Sequence, residues 1–92
     1  MKYFVDLSEN AKADVRKLIK SGNKQAIKKL EILIDELEIH PETGTGKPEK
    51  LKYQSTNRWS RRITDKHRLI YDIFENIVTI EIIQAYGHYD DD

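Results

Sequence analysis

The chain reads as a single α+β domain spanning residues 1–92, with two N-terminal helices packed on a mainly antiparallel, twisted sheet. Three observations predict this. Two stretches of helical periodicity follow one short β-branched and aromatic run, and four strand-like runs follow a loop rich in Gly and Pro. A length of 92 residues allows one core and no second domain. The expected order is β-α-α-β-β-β-β, helices and sheet segregated along the chain.

The elements follow in order. "KYFVDL" suits a first strand. In "SENAKADVRKLIKSG", Ser8 is a natural N-cap, Ala11, Val15, Leu18 and Ile19 share a face, and Gly22 marks the stop. "KQAIKKLEILIDELEIHP" repeats the pattern with Ala26, Ile27, Leu30, Leu33, Ile34 and Leu37, and Pro41 lies just past its end. His40, at that end, suits the negative pole of the helix dipole. "PETGTGKPEK" is a loop, and without a Gly-Lys-Ser/Thr ending it is no phosphate loop. The strands are then "KLKYQ", "RWSRRIT", "RLIYDIF" and "VTIEIIQAYGHY".

Register follows from the apolar set, because a one-residue slip would turn every side chain to the other face. A turn at Asp65-Lys66-His67 sets Ile63 opposite Leu69 and Trp59 opposite Ile73. A turn at Glu75-Asn76 then sets Ile73 opposite Val78, Tyr71 opposite Ile80 and Leu69 opposite Ile82. The other face carries Ser60, Arg62, Thr64, Arg68, Ile70, Asp72, Thr79 and Glu81, with no helix left to cover it. Arg61 falls on the apolar side, where a salt bridge or an edge position would have to account for its charge.

Charge is segregated although the formal net charge is zero. Residues 47–68 hold eight Lys/Arg against Glu49 and Asp65, while residues 69–92 hold six carboxylates and no Lys or Arg. The middle is a basic patch suited to a polyanion, unless the acidic end neutralises it. Cysteine is absent, which excludes disulfides and thiolate metal sites, and the N-terminus lacks a long apolar run. An intracellular, cytoplasmic protein is expected. The three histidines lack metal-ligand spacing, so no metal or other cofactor is expected. No serine has the setting of an activated nucleophile. What remains is acid–base chemistry on a phosphodiester, for which Glu49, His88 and the arginines have suitable side chains. Each also has a plain structural reading: Glu49 as a solvated loop residue, Trp59 as core, Tyr89 as a terminal side chain.

The string "GTGKPEKLKYQSTNRWSRRITDKHRLIYDI", followed by "QAYGHY", resembles the YoeB/Txe family of RelE-type bacterial toxins across residues 44–89. The two preceding helices match in outline. The resemblance implies a compact microbial-ribonuclease-like fold and a ribosome-dependent mRNA endonuclease that needs no metal and leaves a 2′,3′-cyclic phosphate. By that likeness Glu49 is the general base, Arg68 stabilises the transition-state phosphate and His88 is the general acid. Tyr89 shapes the site, and Lys52, Arg62 and Arg61 line the RNA path. It further implies a YefM-type antitoxin whose acidic segment covers the basic face, together with mRNA and ribosomal RNA as partners, no membrane, and a homodimer. Alternatives are a weak or inactive nucleic-acid- or antitoxin-binding module on the same fold and a gyrase-directed relative. This chain departs from the family's usual ending by adding Asp90, Asp91 and Asp92. Strict alternation from Val78 also sets His88 on the core side, so a bulge at Ile82-Ile83 or a kink at Gly87 is expected.

Overall fold

The computed structural model describes residues 2–87. The elements are β1 (Phe4–Leu7), α1 (Glu9–Lys20), α2 (Lys24–Leu37), β2 (Glu49–Lys50), β3 (Arg58–Arg62), β4 (Arg68–Phe74), a 3₁₀ turn (Glu75–Ile77) and β5 (Thr79–Gln84). The sheet order is β1-β5-β4-β3-β2, antiparallel throughout except for the parallel β1–β5 pair. This is the anticipated α+β arrangement with the helices on one face.

Local chemistry explains each boundary. Ser8 accepts from the Ala11 amide at 3.1 Å and opens α1, and Asn23 does the same for α2 through Ala26. The second helix ends at Leu37, shorter than its periodicity suggested, so His40 lies beyond the last turn. Leu18, Leu30, Leu33 and Leu37 are buried against Leu69, Tyr71, Ile80 and Ile82. Ile19, expected in the core, is 55% exposed, because α1 turns a narrower stripe inward than its apolar positions imply. The run expected as "KLKYQ" is a strand only at Glu49–Lys50, and Tyr53 beyond it has a left-handed φ of 59°.

Both hairpins differ from expectation by two residues. Trp59 lies opposite Tyr71 and Arg61 opposite Leu69. The turn is Thr64-Asp65-Lys66, closed by Ile63 donating to the His67 carbonyl, and the Thr64 hydroxyl accepts from the amides of Lys66 and His67. The second connection runs Glu75–Val78 through the 3₁₀ turn and a left-handed Val78, which sets Ile73 opposite Ile80 and Tyr71 opposite Ile82. A shift of two keeps each side chain on its face, which is why the core face was still read correctly.

The far face is not open along its length. Ile70, Ser60 and Asp72 are 0, 2 and 2% exposed. The segment 51–57 turns over them: Leu51 is buried, and the Thr56 hydroxyl donates to Asp72 at 2.9 Å. No helix among the described residues is long and apolar enough to cross a membrane.

Candidate active site

Glu49 is delivered by the loop 40–48, and Arg61 holds that loop. Arg61, expected along an RNA path, is fully buried on the helix side of the sheet and cannot touch RNA directly. Its Nη1 donates to Glu36 Oε1 at 2.8 Å and to the Thr45 carbonyl at 3.2 Å. Nη2 donates to the carbonyls of His40 and Thr43, and Nε to the Tyr71 hydroxyl at 3.1 Å. Tyr71 in turn donates to the Pro41 carbonyl at 2.7 Å. Every polar end of this guanidinium is therefore engaged by loop backbone, Glu36 or Tyr71, which satisfies a charge in the core. Hydrogen bonding from the Thr45 hydroxyl, aided by Arg61, holds the Glu36 carboxyl below its usual value, while burial raises that of the Tyr71 phenol.

The Gly-x-Gly spacing follows from this hub. A Cβ on Gly44 would strike the Glu36 carboxylate that Arg61 binds. Gly46 has φ +84°, and a Cβ there would lie 2.9 Å from the Arg62 carbonyl. The Gly46 carbonyl accepts from the Arg62 amide at 2.7 Å, tying the loop to β3 just before Glu49 begins β2.

Register then sets the far-face row. Glu49 lies opposite Ser60, Ser60 opposite Ile70, and Ile70 opposite Gln84. Two residues along the same face, Arg62 lies directly opposite Arg68. Glu49 and Arg68 are thus two strands and two residues apart, about 12 Å between backbones, a gap that two long side chains reaching toward one phosphate could span. Arg62 reaches only the 97% exposed Asp65, at 3.8 Å, and the Arg68 side chain has no ion-pair partner among the described residues. Two facing like charges disfavour the hairpin, and this end of the face offers two cations to an anion. The other end is neutralised: Arg58 forms a two-pronged pair with buried Asp72 at 2.7 and 2.9 Å. Lys52 is exposed in the segment after β2.

The expected bulge is present. Pairing passes from Tyr71–Ile82 to Ile70–Gln84, leaving Ile83 as the extra residue. Gln84 now shares the far face with Ile70, and Ala85 is buried. His88 and Tyr89 lie outside the described residues.

The chain as a whole matches the family model described as YoeB-like toxin of bacterial type II toxin-antitoxin system, over residues 7–89. The chain belongs to this family. It is 41% identical over 58 residues to toxin YoeB of Escherichia coli K12, covering 63% of this chain and 69% of the relative. The YoeB dimer from Staphylococcus aureus superposes with a TM-score of 0.79 at 32% identity, over 97% of this chain and all of that one. The YoeB–YefM complex from the same organism gives 0.74 at 34% identity, again over 97% of this chain and all of the other.

For a YoeB-like toxin, three polar residues escaped the sequence reading. Asp14 is buried and accepts from the Ala85 amide at 3.0 Å. A signal existed, since it falls three residues after Ala11 and four before Leu18, inside the apolar stripe. Glu36 pairs with Arg61, one of the two ways (a salt bridge or an edge position) in which an arginine on the core face could be accommodated. His67 accepts from the Gly87 amide at 2.9 Å through Nδ1 and lies beside Tyr86, ring centroids 4.2 Å apart. As a turn residue it carried no comparable signal.

Proposed function

We propose that this toxin cleaves mRNA on the ribosome by acid–base chemistry. Glu49 takes the proton from a 2′-hydroxyl, whose oxygen attacks the adjacent phosphorus. The bond to the 5′-oxygen breaks, that oxygen receives a proton from His88, and a 2′,3′-cyclic phosphate and a 5′-hydroxyl remain. Arg68, with Arg62, stabilises the charge that builds on the phosphoryl oxygens. Lys52 guides the RNA strand, Tyr89 shapes the site, and Arg61 acts indirectly by fixing the loop that leads to Glu49.

The observation that carries this reading is the Arg62–Arg68 pair facing one another on the far face, in the row beside Glu49. Two facing cations, of which Arg62 meets only the exposed Asp65 among the described residues, and one carboxylate are the minimal equipment for binding and activating a phosphodiester. An acid and a base supply about 10²–10⁴-fold each. A site with so few groups gains most from a ribosome that holds the codon in line, since orientation lowers such barriers by about 7–11 kcal/mol at best. The same basic end is the surface for the acidic segment of a YefM-type antitoxin, and the likeness to a YoeB dimer supports self-association. The setting is the cytoplasm, where ribosomes are found.

Cleavage mapping tests it. The purified chain, freed of antitoxin, is added to a defined translation system with one mRNA, and new 5′ ends are read by primer extension. Cuts within ribosome-occupied codons, absent without ribosomes and absent with His88→Gln, are expected. No cuts from the wild-type chain under any condition would overturn the endonuclease reading.

A further inference from the structure

Past the bulge, β5 loses a neighbour. The last bond from the β1 side is the Ser8 amide to the Ile82 carbonyl at 2.9 Å. Backbone groups beyond it would be left without the partners a sheet provides. Side chains replace the missing strand. Asn10 donates to the Ile83 carbonyl at 3.0 Å and the Ser8 hydroxyl at 3.4 Å. Asp14 accepts the Ala85 amide at 3.0 Å, and His67 accepts the Gly87 amide at 2.9 Å. From β4, the Arg68 amide donates to the Gly87 carbonyl at 3.0 Å. Gly87 is therefore held at both its amide and its carbonyl by consecutive residues, His67 and Arg68.

Gly87 has φ +81°, and a Cβ there would meet nothing within 4 Å, so backbone conformation rather than space calls for glycine. Without its clamps this residue is a hinge, since glycine visits both signs of φ with similar ease. The residue covalently attached to that hinge is His88. Acceptance at Nδ1 also requires a neutral His67 ring, with its proton on Nε2.

We infer that His67 is a positioning residue, with Asp14 in support: it locks the Gly87 hinge, to which the acid of the proposed reaction is attached. The inference rests on the endonuclease reading above. A group that must meet a leaving oxygen tolerates little angular freedom, and a displacement of about 1 Å can cost about 10²-fold in rate.

Two variants separate positioning from mere structure. Asn carries a carbonyl oxygen near the place of Nδ1 and keeps the acceptor, whereas Phe keeps a ring beside Tyr86 and removes it. H67F should expose the Gly87 amide to solvent hydrogen exchange, read by NMR, and lower single-turnover cleavage about 10²-fold with little change in ribosome binding. H67N should retain the protection and recover most of the rate. A Gly87 amide that stays equally protected in H67F would overturn the clamp. Lost protection with undiminished cleavage would overturn the positioning role. Absence of cleavage by the wild-type chain would overturn the endonuclease reading and the positioning role with it, a pattern distinct from either, while the exchange data would still decide the clamp.

Discussion

Arg61 and Glu36 meet at 2.8 Å in the interior, the guanidinium fully buried and the carboxylate side chain one quarter exposed. Through this contact α2, β3 and the loop 40–46 become one unit, because the other donors of Arg61 serve the carbonyls of His40, Thr43 and Thr45. The pair therefore links the helical layer to the segment that delivers Glu49.

Arg61→Met should be severe. It leaves Glu36 with Thr45 alone and three carbonyls without their donor, and losing one member of a buried pair costs about 3–5 kcal/mol. Arg61→Lys should be little better, since an ammonium cannot present the planar fork that reaches Glu36, Tyr71 and the loop together. Urea unfolding monitored by Trp59 fluorescence would read both as lowered midpoints. A midpoint near wild type for Arg61→Lys would show that charge alone, without the fork, holds the loop.

The same pair sets an acid limit. The carboxyl of Glu36 lies below its ordinary value of 4.5 because the Thr45 hydroxyl and Arg61 bond the charged form. A depressed folded value contributes stability that is complete above 4.5 and is lost as pH falls through the folded value. Glu36→Gln should be less stable than wild type at neutral pH and should lose less on acidification across that window. Equal slopes of unfolding free energy against pH for the two proteins would remove Glu36 from the acid response.

Gly46→Ala should destabilise by about 1–3 kcal/mol, the range for a non-glycine residue held in a left-handed, crowded conformation. The new Cβ would lie 2.9 Å from the Arg62 carbonyl and 3.1 Å from Leu33 Cδ2, neither able to withdraw freely. Because the Gly46 carbonyl binds the Arg62 amide, cleavage should fall by more than the loss of folded protein explains. Comparing activity per folded molecule with the urea midpoint checks this.

These residues also show what sequence made legible. The layers and the core face were readable because hydrophobic periodicity and parity survive a two-residue error in register, whereas the bulge was expected only because the family resemblance required His88 off the core face. The turns were not, since the Thr64 hydroxyl and the left-handed Val78 decide loop length through local hydrogen bonds that no pattern of apolar residues reports. Ser60, Arg62, Arg68, Ile70 and Asp72 were read correctly as one face, but Glu49 was not placed on it and the cover of that face by the segment 51–57 was not foreseen. The basic run, however, divides three ways: Arg58 to Asp72, Arg61 into the core, Arg62 and Arg68 opposite one another on the far face. Adjacent arginines look alike in sequence, and only strand parity and partners across 25 residues (as for Glu36) tell them apart.

Facing arginines make the last prediction, one in which stability and activity move apart. Arg62 and Arg68 sit directly opposite on neighbouring strands, a like-charge arrangement that costs about 0.2–1 kcal/mol. Arg68→Gln removes the repulsion and breaks no side-chain ion pair among the described residues, so the folded state should be as stable as wild type or slightly more so. Cleavage on the ribosome should nevertheless fall about 10²–10³-fold, the usual consequence of deleting a group that stabilises transition-state charge. Inorganic phosphate or a short uncleavable RNA should raise the melting temperature of wild type more than that of Arg68→Gln. Thermal unfolding with and without the anion, alongside single-turnover cleavage, gives all three readings. A variant that is clearly less stable than wild type would mean that Arg68 holds the fold, and its loss of cleavage would then say nothing about the phosphate.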